Sequence, residues 1–256
     1  MRASIELHAA PTEPATASKV LRTLRETTCA NCSLGPVCMA SACGGGLDRF
    51  NELVERHRPI QRGALLFHEG TPLNQVFVVR SGALKTSVAL PSGLEQITGF
   101  CLPGDIVGLD SIGLPQHSST AAALETTSVC AISFDDLSDL AREVPSLQKH
   151  VFRLFGAEIR GDRYMMQMLA QRPADERMAA FLQSLAERCK RNHLSDTHIR
   201  LPMSRGELGN YLGLALETTC RVLTRLQQQN IISVEGREVH ILDHVKLAAL
   251  ANPQDA

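Results

Sequence analysis

The sequence lacks three features that would point directly to a partner or a compartment. It has no excess of one charge, because 26 lysine and arginine residues face 27 aspartate and glutamate residues. Bulk electrostatics therefore does not indicate a nucleic acid or a membrane surface. No apolar run is long enough to predict a membrane-spanning helix, and residues 1–20 lack the apolar stretch of a signal peptide. We therefore expect a cytoplasmic protein whose thiols stay reduced.

Cysteine, in contrast, is frequent, and three of the eight cysteines fall within ten positions. The segment CANCSLGPVC holds Cys29 and Cys32 in a C-x2-C pair, and Cys38 follows. Three thiolates in one loop suit a zinc ion or an iron–sulfur cluster, and no histidine lies in the loop to complete a mixed zinc site. For a fourth ligand, the spacing leaves open the local Cys43 and the remote Cys130.

The N-terminal half of the sequence predicts three kinds of structure. Residues 1–46 combine an irregular tail, up to about residue 28, with the cysteine loop. The segment LDRFNELVERH then predicts a short amphipathic helix, and β-rich segments separated by glycine, proline and asparagine turns fill the rest of residues 47–143. Short strands with close turns are typical of a small barrel or jelly roll. One of these segments, VVRSGALKTSV, predicts a hairpin around Ser81 and Gly82.

Residues 144–172 predict one long helix, from about Ser146 to Gln171, that carries two apolar stripes. One stripe can cover the chain's own barrel. The other has heptad spacing, which favours pairing with the same helix of a second copy, although burial within one chain would give the same pattern. The residues of this predicted dimer interface are Phe152, Phe155, Ile159, Asp162, Met166 and Leu169. Asp162 is the one acidic residue in that seam, and it either opposes its counterpart across a two-fold axis or points to solvent.

Residues 173–256 predict a helix followed by a winged helix-turn-helix, with Gly213 at the turn and a hairpin around Glu235 and Gly236. The second helix can enter the major groove of DNA, where an arginine pairs with guanine and a glutamate accepts from cytosine. Lysine plus arginine and aspartate plus glutamate each number 10 in this region, so binding would depend on a local basic face. The residues predicted to contact DNA are Ser204, Glu217, Thr218, Cys220, Arg221 and Arg225. The alternative for Glu217 and Arg221 is a surface ion pair one helical turn apart.

The order of these parts resembles the CRP/FNR family of bacterial transcription regulators. The segments EQITGF, ALETTSVC, EIRGD, GNYLGL and ETTCR resemble its FNR/Anr branch, and the likeness covers residues from about 29 to 250. The resemblance implies an α+β fold in which an N-terminal β-roll sensor domain, jelly-roll-like in form, leads through a long dimerisation helix into a C-terminal winged helix-turn-helix. No enzymatic residues are implied.

The resemblance also implies a cofactor, its ligands and its partners. In this branch, three cysteines of an N-terminal loop and one of the β-roll hold a [4Fe-4S] cluster, which selects Cys130 over Cys43 and matches Cys29, Cys32 and Cys38. The implied protein is an oxygen-responsive activator of anaerobic gene expression. It acts as a homodimer on palindromic double-stranded DNA with TTGAT-type half-sites and contacts RNA polymerase. The alternative is a constitutive dimer with a structural four-cysteine zinc site.

Two departures from related patterns narrow this expectation. Cyclic-nucleotide sensors of the superfamily hold the cyclic phosphate with an arginine, but the matching segment here, QHSSTAAALETT, contains no arginine or lysine. A buried phosphate without a cation is costly, so a cyclic nucleotide is not expected. Cys220 stands where the FNR/Anr branch typically has serine, and a thiol is the weaker hydrogen-bonding group, which puts its contact with a base in doubt.

Overall fold

A computed structural model describes residues 28–252, so the predicted irregular tail lies almost wholly outside the described residues. The cysteine loop leads through two short 3-10 turns, Met39–Ala42 and Gly44–Gly46, into helix α1 (Leu47–Leu53). The helix predicted there ends earlier than the pattern suggested, because Val54 is extended and begins the approach to the first strand. No helix in the described part of the chain combines the length and apolarity needed to cross a membrane.

Eight antiparallel strands form the predicted β-roll as two facing four-stranded sheets. In chain order the strands are β1 (Glu55–Arg56), β2 (Leu65–Phe67), β3 (Gln75–Ser81), β4 (Leu84–Ala89), β5 (Glu95–Cys101), β6 (Ile106–Val107), β7 (Thr120–Ala123) and β8 (Ser128–Ser133). One sheet has the order β1-β8-β3-β6 and the other has the order β2-β7-β4-β5. The sheets enclose a core of phenylalanine, valine and alanine side chains between them.

The predicted hairpin around Ser81 and Gly82 is wrong, because β3 and β4 lie in different sheets. Gly82 has a φ of 83°, and a Cβ at this position would lie 2.5 Å from the backbone oxygen of Thr126. Thr127 Oγ1 accepts a hydrogen bond of 3.1 Å from the Ala83 backbone N–H. The chain turns here from one sheet to the other, and glycine is required because it alone adopts this φ readily and leaves room for the contact. The hairpin in this region is formed instead by β4 and β5.

Two helices follow the β-roll. Helix α2 (Phe134–Glu143) is capped by Ser133, whose side chain accepts from the Asp136 backbone N–H. Helix α3 (Pro145–Gln171) has proline at its first position, where no donor is lost, and its 27 residues span about 40 Å. It ends before Pro173, because a proline disfavours the helical conformation in the residue that precedes it.

The C-terminal region contains the predicted winged helix-turn-helix. Its elements are α4 (Ala174–Arg191), β9 (His198–Arg200), α5 (Arg205–Leu212), α6 (Leu216–Gln228), β10 (Ile232–Glu235), β11 (Glu238–Ile241) and α7 (His244–Ala251). Ser204 and Glu207 form a reciprocal capping box at the start of α5, and β10 pairs with β11 across the predicted hairpin. One continuous core joins this region to β5 and to the end of α3 through Phe100 and Met168.

Candidate metal centre and DNA-binding surface

The four cysteines predicted as ligands line one cavity between the cysteine loop and the β-roll. Cys130 lies on β8, where it pairs with Arg56 of β1 and with Val78 of β3. The loop reaches the strand because successive turns fold it back: Gly35 N–H donates to the Cys32 carbonyl at 2.9 Å, and Cys38 N–H donates to the Leu34 carbonyl at 2.8 Å. Cysteines about 100 positions apart in the sequence therefore line one cavity.

Two side chains that the sequence analysis did not single out hold the start of the loop. Asn51 Oδ1 accepts hydrogen bonds from the Cys29 backbone N–H at 2.9 Å and from Arg56 Nη2 at 2.7 Å. Arg56 Nη2 also lies 3.5 Å from Cys29 Sγ. No spacing in the sequence relates these residues, since α1 and β1 meet the loop only after folding. The cavity thus contains a cationic donor directed at one of the four thiols.

Burial favours the protonated form of three of these thiols, those of Cys29, Cys38 and Cys130. It raises the pKa of Cys38 to about 11. Burial also raises the pKa of Cys29 and of Cys130, and in both cases the nearby Arg56 guanidinium opposes it. Arg80 lowers the pKa of Cys130 as well. Because iron and zinc take cysteine as the thiolate, loading this site would release protons.

Cys43, the local alternative for a fourth ligand, occupies a different environment. Its side chain is 1% exposed within the apolar core below the loop. It does not line the cavity, and its Sγ donates to the Met39 carbonyl at 3.5 Å. Burial raises its pKa to about 12. The structure therefore gives Cys43 the surroundings of a core residue.

The four cysteines line the cavity without converging on a single point. Within residues 28–252, no three histidine, cysteine, aspartate or glutamate side chains converge closely enough to hold a single metal ion. A tetrahedral zinc ion needs all its sulfur ligands at about 2.3 Å from one centre. In a four-iron cluster each thiolate ligates a different iron, so its ligands line a larger space. Four cysteines around one cavity, with an arginine donor beside them, fit the second kind of group.

The predicted recognition helix is α6, and its candidate base-contacting side chains are accessible. Glu217 and Arg221 are 81% and 64% exposed, and they form the surface ion pair considered above, at 3.5 Å. Arg221 Nη2 also lies 3.4 Å from Thr218 Oγ1. Cys220 is exposed between them. The free helix thus pairs these charged groups with each other, and a base would have to replace that pairing.

The remaining predicted DNA contacts are engaged within the chain. Arg225 Nη2 donates to Asp175 of α4 at 2.7 Å. Ser204 is used as the cap of α5, where its hydroxyl accepts from the Glu207 backbone N–H. Arg205, which the sequence analysis did not select, donates to the Gly236 carbonyl of the wing at 2.8 Å. Contact of Ser204 and Arg225 with DNA stays a prediction.

The long helix presents its two stripes to different surroundings. Leu147 and Met168 are fully buried against the chain's own core. On the other stripe, Phe152 is 66% exposed and Met166 is 71% exposed. The rest of this stripe is partly or fully exposed: Phe155, Ile159, Asp162 and Leu169. Such a row of accessible apolar side chains on one helix face is typical of an interaction surface. Pairing with the same helix of a second copy stays a prediction.

Comparison with known proteins places this architecture among transcription regulators. Residues 57–144 match the cyclic nucleotide-binding domain family, and residues 176–250 match the Crp-like helix-turn-helix domain family. The chain is 48% identical to the transcriptional activator protein anr of Pseudomonas aeruginosa, over 91% of this chain and 96% of that protein. It is 43% identical to the fumarate and nitrate reduction regulatory protein of Yersinia pestis, over 88% of this chain and 91% of that protein.

Among solved structures, FixK2 from Bradyrhizobium japonicum superposes with a TM-score of 0.70 and is 30% identical, covering 77% of this chain and 96% of that one. The likeness therefore extends through the β-roll, the long helix and the winged helix-turn-helix together. With a sequence identity of 48% across nearly its whole length to one such regulator, this chain belongs to the FNR/Anr branch of the CRP/FNR family of DNA-binding transcription regulators and is not an enzyme.

Proposed function

We propose that this regulator is a cytoplasmic oxygen sensor, active as a homodimer when Cys29, Cys32, Cys38 and Cys130 hold a [4Fe-4S] cluster. The observation that carries the proposal is the lining of one cavity by these four thiols. When bound, the cluster supplies the chemistry that reacts with oxygen. The names of the relatives support an anaerobic role, since Pasteurella multocida has one called anaerobic regulatory protein.

The link from the cavity to the dimer runs through a shared core. Cys29, Cys38 and Cys130 pack against the same apolar cluster as Leu147, Val151 and Leu154 of α3. The ligand loop held against β8 therefore supports the first half of the helix that carries the exposed stripe. A change of only a few kcal/mol in the relative stability of monomer and dimer is enough to shift such an equilibrium.

The dimer would present two copies of α6 about 34 Å apart, one turn of DNA, to a palindromic site. Glu217 and Arg221 would read a TTGAT-type half-site by exchanging their mutual ion pair for base edges. RNA polymerase is the further partner that the relatives' role as activators suggests. Family membership supports all three partners, and the exposed side chains of α6 and α3 support DNA and the second copy of the chain.

The β-roll is not expected to hold a cyclic nucleotide, although its fold matches that domain family. In the segment where a cyclic phosphate would need a cation, Ser118 and Ser119 donate from their hydroxyls to Asp110 Oδ2, at 3.1 and 2.7 Å. A carboxylate that already accepts these donors would repel an incoming phosphate. The sensor input is therefore assigned to the cysteine cavity.

The proposal is tested by purifying the protein without oxygen and measuring visible absorption together with iron, sulfide and zinc. We expect a brown protein with four iron and four sulfide per chain, as the cluster formula requires, which sediments as a dimer and binds a palindrome. Admitting air should bleach the absorption and weaken both dimer and DNA binding. A colourless protein with one zinc per chain that still binds DNA in air would replace the cluster proposal with the structural zinc alternative.

A further inference from the structure

Arg177 lies where its charge is unfavourable for its own helix. Helix α3 ends at Gln171, Arg172 and Pro173 are extended, and α4 starts at Ala174. Arg177 is therefore in the first turn of α4, at the positive end of the helix dipole, where a cation is destabilising. The unfavourable placement of this charge is offset by hydrogen bonds to backbone carbonyls of other helices.

The Arg177 guanidinium donates to backbone carbonyls at the C-terminal ends of two other helices. Nη2 donates to the Leu169 carbonyl at 2.9 Å and Nε donates to the Arg172 carbonyl at 2.8 Å, both at the end of α3. Nη1 donates to the Leu212 carbonyl at 3.0 Å, at the end of α5. Carbonyls in the last turn of a helix have no partner within the helix and carry its negative end. One side chain thus caps α3 and α5 together.

Gly213 lets α5 approach this guanidinium. It has a φ of 64°, and a Cβ there would lie 3.3 Å from Arg177 Nη1 and 3.3 Å from Leu169 Cδ2. Nη1 also lies 3.5 Å from the Gly213 carbonyl. Gly213 is the turn between α5 and the recognition helix α6, so the group that fixes the end of α5 also fixes the start of α6.

Other contacts hold the same region to a different element. Asn210 of α5 accepts from the Ile97 backbone N–H at 2.7 Å and donates to the Glu95 carbonyl at 2.8 Å, both on β5. These bonds join the helix-turn-helix to the β-roll. The Arg177 bonds instead join the helix-turn-helix to the end of the long helix α3. Because hydrogen bonds are directional and apolar packing is not, these bonds restrict the angle between the helix-turn-helix and α3.

We propose that Arg177 is a positioning residue that sets the angle between the dimerisation helix and the recognition helix, and thereby the half-site spacing that the dimer reads. The inference rests on the proposed homodimer and its palindrome, and on the cluster only because the cluster holds the dimer together, so the binding experiment is done without oxygen. Two recognition helices must enter successive major grooves one turn apart. An angle left free in each protomer would reduce the fraction of dimers that match this spacing, and apparent affinity falls in proportion to that fraction.

The experiment measures binding to palindromes whose half-site centres are one helical turn apart, or one base pair closer or further, and to a single half-site. Arg177→Met removes every donor but keeps an unbranched apolar stem. Arg191→Met is the control, since Arg191 is exposed in the last turn of the same helix. We expect the control and the parent to share one preferred spacing. We expect Arg177→Met to lose about tenfold on that spacing, with little loss on the others, on the half-site, or in dimer sedimentation.

A second variant approaches the same contact from the other side. Gly213→Ala places a methyl group against Arg177 and strains a positive φ, so it should flatten the spacing preference in the same way. Combining it with Arg177→Met should add little, because both changes break one contact. If Arg177→Met fails to fold, Arg177→Lys keeps charge and length without the forked donors, and we expect it to retain part of the preference.

Three outcomes separate the claims. A parent with no preference among spacings contradicts the proposed palindromic dimer. A parent preference that Arg177→Met or Arg177→Lys leaves unchanged contradicts the positioning role alone. An equal loss on every spacing and on the half-site makes Arg177 a residue needed only for stability, which also overturns the inference.

Discussion

Arg56 Nη2 lies 3.5 Å from Cys29 Sγ, and Asn51 holds both residues through one amide oxygen. The guanidinium is therefore held beside the thiol by Asn51, a residue outside the proposed ligand set. Hydrogen bonds and positive charge directed at cysteine sulfur are among the features that set the chemistry of iron–sulfur sites. The strand pairing that places Arg56 next to Cys130 gives the same cation influence over two of the four thiols.

Replacing Arg56 with methionine should make the cysteine site hold its cluster less well and lose it faster in air. The reason is that a donor to Cys29 and a charge near Cys130 are both removed. We expect a change of about tenfold in the rate at which visible absorption decays after oxygen is admitted. Arg58→Met is the matched control, because Arg58 is an exposed arginine two positions away. Equal decay in both variants would limit Arg56 to a structural role.

Cys130→Ala should abolish iron retention, whereas Cys43→Ala should leave iron and sulfide content near the parent level. Cys130 lines the cavity and Cys43 packs in the core. Truncating the buried Cys43 should cost about 1 kcal/mol of unfolding free energy, which thermal unfolding of the apoprotein would measure. The reverse pair of phenotypes would restore the local cysteine as the fourth ligand.

Arg221→Ala should weaken DNA binding by about 1–3 kcal/mol and relax the preference at one guanine. Arg221 is exposed, and among residues 28–252 its side chain bonds only to Glu217 and Thr218 of its own helix. Competition binding against palindromes mutated one base pair at a time would reveal the position. Arg225→Ala is the comparison, since Arg225 is already paired with Asp175 and should change affinity without changing the preferred base. An equal loss on all sequences for Arg221→Ala would make it a phosphate contact.

Asp162→Ala should produce a protein that dimerises and binds DNA in air without a cluster. Asp162 lies between Ile159 and Met166 on the exposed stripe. The pKa of Glu158 is raised mainly by burial and further by the negative charge of Asp162. Two such carboxylates across a two-fold axis would repel each other and lose hydration. Sedimentation of the aerobic apoprotein measures the effect, with Asp139→Ala as the control on an exposed face of α2. A variant as monomeric as the parent would remove Asp162 from the switch.

The sequence by itself determined the features that depend on near neighbours. Ser204 and Glu207 form a capping box across three residues, and the β10–β11 hairpin closes around Gly236. The end of α3 before Pro173 likewise follows from the restrictions of proline. In each case the interacting groups are separated by a few positions, so a local pattern contains the whole cause.

Only the tertiary structure decided which distant groups meet. The segment around Gly82 has the composition of a hairpin, but its contact with Thr126, more than 40 positions away, sends β3 and β4 into different sheets. Spacing left Cys43 and Cys130 as equal candidates, and their difference in environment exists only once β8 pairs with β1 beside the folded loop. Arg177 reads as an ordinary helix residue until the ends of α3 and α5 converge on it. Such contacts depend on how whole elements pack, and no local pattern in the sequence encodes that packing.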